Sequence, residues 1–356
     1  MPSRLSQCLT RRGRLALLLA LSLLAAPVAD APAAPRAREL PHPAHHLGQG
    51  YRNVDPSYDY TLLGRTWNLL RRSVHREPPR GAPPVPEGND GAALRANGTQ
   101  ATVTWVGHAT LLVQLDGVNI LTDPNWNDHA GPLPFGMRRL VPAGLRFADL
   151  PRIHAVVISH DHYDHLDLGT VQRLARAHRP TFFVPLGLRP WLEERGIHDV
   201  VELDWWESQA FRGLTFTATP AQHSSGRGLL DQNLRLWCSW AIADGHGKRF
   251  FFAGDTGYTP SLAEIGRRLG PFDVAAIPIG GYSAFAAHHP NHVNPEEAMQ
   301  LFDDLHGRIF VPVHWGTFAL NREPFREPPD RLRAEALRRG EEERIAVLTQ
   351  GQSIHW

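Results

Sequence analysis

The chain has 356 residues, 42% hydrophobic and 21% charged, with a formal net charge of +1. This is ordinary globular composition with ample material for a large core, and α/β enzymes of this length are often one compact unit. Residues 1–33 carry four Arg and one Asp, so the remainder sums to −2 and gives no electrostatic basis for a nucleic-acid partner.

Arg4, Arg11, Arg12 and Arg14 precede an apolar run over 15–26, followed by small residues around 28–34. That pattern is an export signal over 1–33 and predicts a periplasmic or secreted protein. The run is short for a membrane span, but an uncleaved signal would leave the chain membrane-anchored. Arg14 stands where a twin-arginine signal has an apolar residue, and Cys8 lies on the wrong side of the run for a lipoprotein site. After cleavage Cys238 is the only cysteine, which excludes an intramolecular disulfide.

Residues 34–100 are rich in Pro, Gly and Arg, with a cluster at Pro78, Pro79, Pro83, Pro84 and Pro86. One amphipathic helix fits 60–72, and the region reads as an arm over the main domain or as a loose linker. From 101 to 356 strands and helices alternate. Strands are expected at 102–106, 110–115 and 118–122, with Asp116-Gly117 turning the second into the third. Further strands are expected at 154–159, 181–184, 200–203, 214–219, 237–242, 249–253, 274–278 and 308–313. Thr259-Pro260 offers an N-cap and first-turn proline for a helix closed by Gly270, and Asn294-Pro295-Glu296-Glu297 reads as a capping box. Early hairpins followed by alternating elements predict a mixed αβ sandwich and not a doubly wound parallel sheet.

His160-Asp161-His162-Tyr163-Asp164-His165 follows one of these strands directly. Alternate residues at a strand end point the same way, so His160 and His162 can reach one metal ion while Asp164 and His165 turn towards a second. Nitrogen and carboxylate oxygen donors without thiolate suit zinc in an open, catalytic site, though they do not exclude iron or manganese. Four donors do not complete two sites. His223, Asp255 and His314 each stand just past an expected strand, as the main cluster does, and Asp255 between Gly254 and Thr256-Gly257 can bridge two ions.

The ordered set His160, His162, Asp164, His165, His223, Asp255 and His314 resembles the ligand set of the metallo-β-lactamase superfamily. The resemblance implies an αββα four-layer sandwich of two mixed sheets flanked by helices. It also implies two Zn2+ ions, one on His160, His162 and His223, the other on Asp164, His165 and His314, with Asp255 bridging. A narrower set of blocks is similar to the N-acyl-phosphatidylethanolamine-hydrolysing phospholipase D family over about 100–350. It includes Thr104-Trp105-Val106-Gly107-His108, Leu121-Thr122-Asp123-Pro124, Leu203-Asp204-Trp205-Trp206-Glu207, Phe252-Ala253-Gly254-Asp255-Thr256-Gly257 and His314-Trp315-Gly316-Thr317-Phe318. By that resemblance His292 is a further active-site histidine and a homodimer is implied. Segment 283–290 and Ser224-Ser225 depart from the family pattern.

The implied reaction is phosphodiester hydrolysis of a phospholipid, with Asp164, Asp255 and His292 catalytic and His108 either behind the site or in the core. Trp126, Leu133, Phe135, Met137, Leu140 and the 283–289 loop are candidates for an apolar groove that meets a membrane surface. Competing readings on the same scaffold are a lactonase, an amidase, a soluble phosphodiesterase, an iron-dependent redox enzyme and a non-enzymatic metal-binding envelope protein.

Overall fold

The computed structural model describes residues 43–56, 80–132, 136–228, 230–282, 289–321 and 323–356. The expected export signal and the helix over 60–72 lie outside them. In chain order the early elements are α1 (Ala92–Ala96), β1 (Thr102–Gly107), β2 (Thr110–Leu115), β3 (Val118–Thr122), β4 (His129–Ala130), β5 (Met137–Arg138) and β6 (Ala155–Val157). Next come α2 (Leu168–Ala177), β7 (Thr181–Pro185), α3 (Leu188–Glu193), β8 (Val200–Leu203), β9 (Ser208–Phe211), β10 (Leu214–Thr219), β11 (Ser239–Ala243) and β12 (Arg249–Phe252). The last are α4 (Ala263–Leu269), β13 (Val274–Pro278), α5 (Pro295–Asp304), β14 (Ile309–Val313), α6 (Glu327–Arg339) and β15 (Ser353–His355).

The strands form two mixed sheets, ordered β15-β1-β2-β3-β6-β7-β8 and β14-β13-β12-β11-β10-β9. In the first, β3, β6, β7 and β8 run parallel while β15, β1, β2 and β3 are antiparallel neighbours. The second repeats this, with β14-β13-β12 parallel and the rest antiparallel. Asp116 and Gly117 both have positive φ, 47° and 73°, the primed-turn geometry that lets β2 fold back on β3.

Period-two alternation builds the layers. On the first sheet Leu111, Val113, Ile120, Val157 and Phe183 face the second sheet, where Phe183 stacks on Phe216 at 4.2 Å. Their neighbours Leu112, Leu121, Val156 and Phe182 face outward and are covered by Val171 and Leu174 of α2 and Leu188 and Leu192 of α3. Ile265 of α4, Met299 and Phe302 of α5 and Leu332 of α6 belong to the larger core that includes the second sheet. These layers are the αββα sandwich that the resemblance implied.

Several boundaries differ from the sequence expectation. The edge strand β9 went unseen because its side chains are polar or exposed and carry no apolar alternation. β6 ends at Val157, so the 154–159 strand is shorter than expected and His160 and His162 lie in the loop beyond it. Thr259 precedes a 3-10 turn, Pro260–Leu262, and its hydroxyl pairs with Ser261 at 2.7 Å without capping a backbone N–H; α4 starts one turn later. The capping box of α5 forms as expected: the Asn294 side chain accepts from the Glu297 amide and the Glu297 carboxylate from the Asn294 amide.

Candidate metal centre

Loops leaving β6 in one sheet and β10, β12 and β14 in the other converge at one end of the sandwich. The chain runs on from β6 through His160 and His162, which stand two residues apart with their rings in contact, and then bends in a turn over 163–165 that carries Asp164 and His165. His160 Nε2 lies 2.8 Å from His162 Nδ1, and His223 Nε2, from the loop after β10, lies 3.2 Å from the same atom. These three form one group of donors within 4.8 Å of one another.

A second group unites Asp164, His165, His314 and His108. His165 Nε2 and His314 Nε2 each stand 3.5 Å from Asp164 Oδ2. His108 Nε2 is closer, at 3.0 Å from the same oxygen, and is fully buried, so this histidine backs Asp164 and is not a remote core residue. Asp255 spans the two groups. Its Oδ2 lies 3.1 Å from His165 Nε2 and 3.8 Å from His223 Nε2, and its Oδ1 lies 3.1 Å from His314 Nε2. His292 Nδ1 is 3.7 Å from Asp255 Oδ2, and its ring stacks on His314 at 5.5 Å. Every residue singled out from the sequence as a ligand or catalytic group therefore stands in this one cage.

The cage asks for positive charge. Burial raises the Asp164 and Asp255 carboxyls, but the surrounding histidines outweigh it and hold both well below the usual range. Burial pushes His160 and His292 well below the usual imidazole value and takes His108 and His223 to about 3. Burial also disfavours charge on His165 and His314, yet the two carboxylates reverse the sign and lift His314 to about 9. Among the described residues, His165 Nε2, His314 Nε2, His292 Nδ1 and Asp255 Oδ1 are buried and have no hydrogen-bond partner. Such atoms are rare in folded proteins, and here all four turn into one cage of nitrogen and oxygen donors. The donor set fits divalent cations.

An outer ring of contacts fixes the donors, as metal sites require. Asp123, fully buried past β3, accepts from His165 Nδ1 at 2.7 Å and from the Ser159 amide and hydroxyl at 2.7 and 2.5 Å. Ser159 Oγ is also 2.9 Å from His160 Nδ1. His223 Nδ1 donates to Asn291 O at 2.9 Å, while Asn53 grips the His223 backbone: Nδ2 donates to its carbonyl at 2.8 Å and Oδ1 accepts from its amide at 3.0 Å. Sequence reasoning assigned no role to Asp123, Ser159 or Asn53. A carboxylate at the end of an otherwise apolar strand was the one available signal, for Asp123. His108, Asp123 and His314 also hold positive φ, 53°, 33° and 63°, local strain of the kind that gathers at functional sites.

The side chains expected to line an apolar groove stand in mixed environments. Trp126 is half-buried: its Nε1 donates to Leu145 O at 2.9 Å and its ring packs edge-on against Phe147, beside the cluster that holds Val171 and Leu174, so the indole N–H has an acceptor. Met137 is half-buried and Leu140 is exposed, while Leu133, Phe135 and 283–288 lie outside the described residues.

Residues 118–315 match the family described as "Beta-lactamase superfamily domain". The chain belongs to the metallo-β-lactamase superfamily. As a superfamily member it is 41% identical over 313 residues to an uncharacterised protein of Mycobacterium tuberculosis, covering 85% of this chain and 82% of that one. It is 43% identical over 243 residues to N-acyl-phosphatidylethanolamine-hydrolyzing phospholipase D 1 of Caenorhabditis elegans, covering 65% and 68%. A metallo hydrolase from the archaeon Ignicoccus hospitalis has a similar structure, with TM-score 0.56 and 25% identity over 72% of this chain and 99% of that one. This superfamily member is a metal-dependent hydrolase.

Proposed function

We propose that the protein is a zinc-dependent phosphodiester hydrolase of the phospholipase D type, releasing N-acylethanolamine and phosphatidic acid from N-acyl-phosphatidylethanolamine. The observation that carries this reading is Asp255, set between two groups of metal donors, in a chain whose relatives include a phospholipase of that name. In this reading His160, His162 and His223 would hold one Zn2+ and Asp164, His165 and His314 the other, with Asp255 placed to serve both. Bound there, the ions would supply Lewis acidity at a phosphoryl oxygen and a nucleophilic water at neutral pH.

The chain's own groups do the rest. Asp164 and Asp255 stay ionised, accept hydrogen bonds from the attacking water and aim it at phosphorus. His292, kept neutral by burial, donates an N–H towards the phosphate region. His108 fixes the Asp164 carboxylate from behind. As the new P–O bond forms, the P–O bond to the ethanolamine side breaks, and its oxygen takes up the proton the water gives up, so the products are N-acylethanolamine and phosphatidic acid. We extend the reading to an exported protein that meets its lipid at a membrane surface, with activity that rises once the substrate aggregates, and to a homodimer.

The test joins metal analysis to product analysis. Protein is incubated with N-acyl-phosphatidylethanolamine vesicles, with an acyl lactone and with bis-p-nitrophenyl phosphate. Release of N-acylethanolamine from the vesicles as the fastest reaction, at two zinc ions per chain, is the expected result. Turnover of the lactone or the soluble diester alone overturns the lipid assignment, and iron in place of zinc overturns the metal.

A further inference from the structure

A second set of metal-type donors lies outside the cage, where residues 43–56 cross the end of β8. Asp204 presents its two oxygens to two consecutive histidines: His45 Nε2 is 2.7 Å from Oδ1 and His46 Nε2 is 2.8 Å from Oδ2. The three donors fall within 4.8 Å of one another. The His45 ring stacks on Trp205 at 4.2 Å, and the His46 ring stands edge-on to Tyr51 at 5.2 Å, so packing sets both rings. The side chains keep 11–23% exposure, which leaves one flank open to water.

Local charge favours a cation there. Glu202, Asp204 and Glu207 lie within six residues, and among the described residues no Arg or Lys side chain forms an ion pair with them. Glu202 and Glu207 accept backbone amides, from Arg189 and Asp204. Arg268, which lies over the Trp206 ring, is paired with Glu264. The Tyr51 phenol is raised first by burial and then by the nearby Glu202 and Asp204 carboxylates.

Two imidazoles and one carboxylate, with positions left for water, form a donor set for divalent first-row metals. We propose that His45, His46 and Asp204 bind one divalent transition-metal ion, separate from the dinuclear cage, that fastens residues 43–56 to the sheet. Metal–ligand bonds of about 2.1 Å at the tetrahedral angle of zinc set donors about 3.4 Å apart. The 2.7 and 2.8 Å separations found here open by roughly 0.6 Å to admit the ion, a shift within reach of side chains that keep one flank exposed. The same segment carries Asn53, which clasps the His223 backbone, so the outer ion anchors a strap that reaches the cage.

The test is metal stoichiometry of the untagged full chain, loaded with Zn2+, dialysed and measured by elemental mass spectrometry. His45→Ala/His46→Ala and Asp204→Asn are each expected to hold one equivalent less than the unaltered chain, with circular dichroism confirming the fold. The same one-equivalent difference is expected when His45→Ala/His46→Ala is added to a His160→Ala/His162→Ala background, in which the cage is crippled. Equal metal content with and without the strap substitutions overturns the proposal and leaves a hydrogen-bonded clasp. A difference that vanishes in the cage-crippled background also overturns it, because the lost ion then belonged to the cage. The readout is a difference in equivalents and is independent of which substrate the enzyme hydrolyses.

Discussion

Asp123 accepts a hydrogen bond from Nδ1 of His165 at 2.7 Å, and neither side chain is touched by solvent. The bond turns Nε2 of His165 towards Asp164 and Asp255, so a residue 42 positions earlier in the chain decides which nitrogen faces the cage. Asp123→Ala removes the acceptor and frees the ring. Losing an orienting partner of this kind typically lowers metal affinity by about 10–100-fold. Competition with a chromophoric chelator measures it, and wild-type affinity in the variant would remove Asp123 from the site's design.

Asp255→Asn tests the bridge. The amide keeps the shape but drops the charge that both groups of donors share. Hydrolysis of bis-p-nitrophenyl phosphate is expected to fall by at least ~10²–10³, the cost of losing one oriented electrostatic group, with the near-ultraviolet circular dichroism unchanged. Full activity in this variant would sink the bridging role.

Gly254→Ala tests the approach of the two sheets. Gly254 has φ +60°, and a Cβ there would run into the side chain of Ser159, which serves both Asp123 and His160. The strained conformation alone is on the order of 1–3 kcal/mol. Calorimetry should show a lower Tm together with lost metal; an unchanged Tm at full metal content contradicts the packing argument.

Glu323 gives a pH prediction. Its carboxyl is 8% exposed and is raised to about 7, first by burial; the Gly281 amide donates to Oε1 at 2.7 Å, and Oε2 has no partner among the described residues. A carboxyl that is harder to ionise when folded leaves stability intact below its unfolded value of about 4.3 and costs stability as pH rises towards 7, at about 1.4 kcal/mol per unit of displacement. Glu323→Gln should therefore remove a fall in Tm between pH 5 and pH 8. An identical fall in the variant would assign that pH dependence to other groups.

The seven ligand candidates and the class of fold could be read before any coordinates. Short-range chemistry is legible in a string: a run of His and Asp after an apolar segment, Gly around Asp255, the apolar run from Leu111 to Val113, a capping box at Asn294. It also placed the Asp116-Gly117 hairpin, because that turn depends only on two adjacent backbones. Only the folded chain shows which groups share an oxygen of Asp255, and that the half-buried Trp126 indole gives its N–H to Leu145. It alone brought Asp123 to His165, Asn53 to His223 and His45 and His46 to Asp204, across separations of 42, 170 and about 160 residues. Such pairings depend on how two sheets and their loops close over one another, which no local pattern encodes.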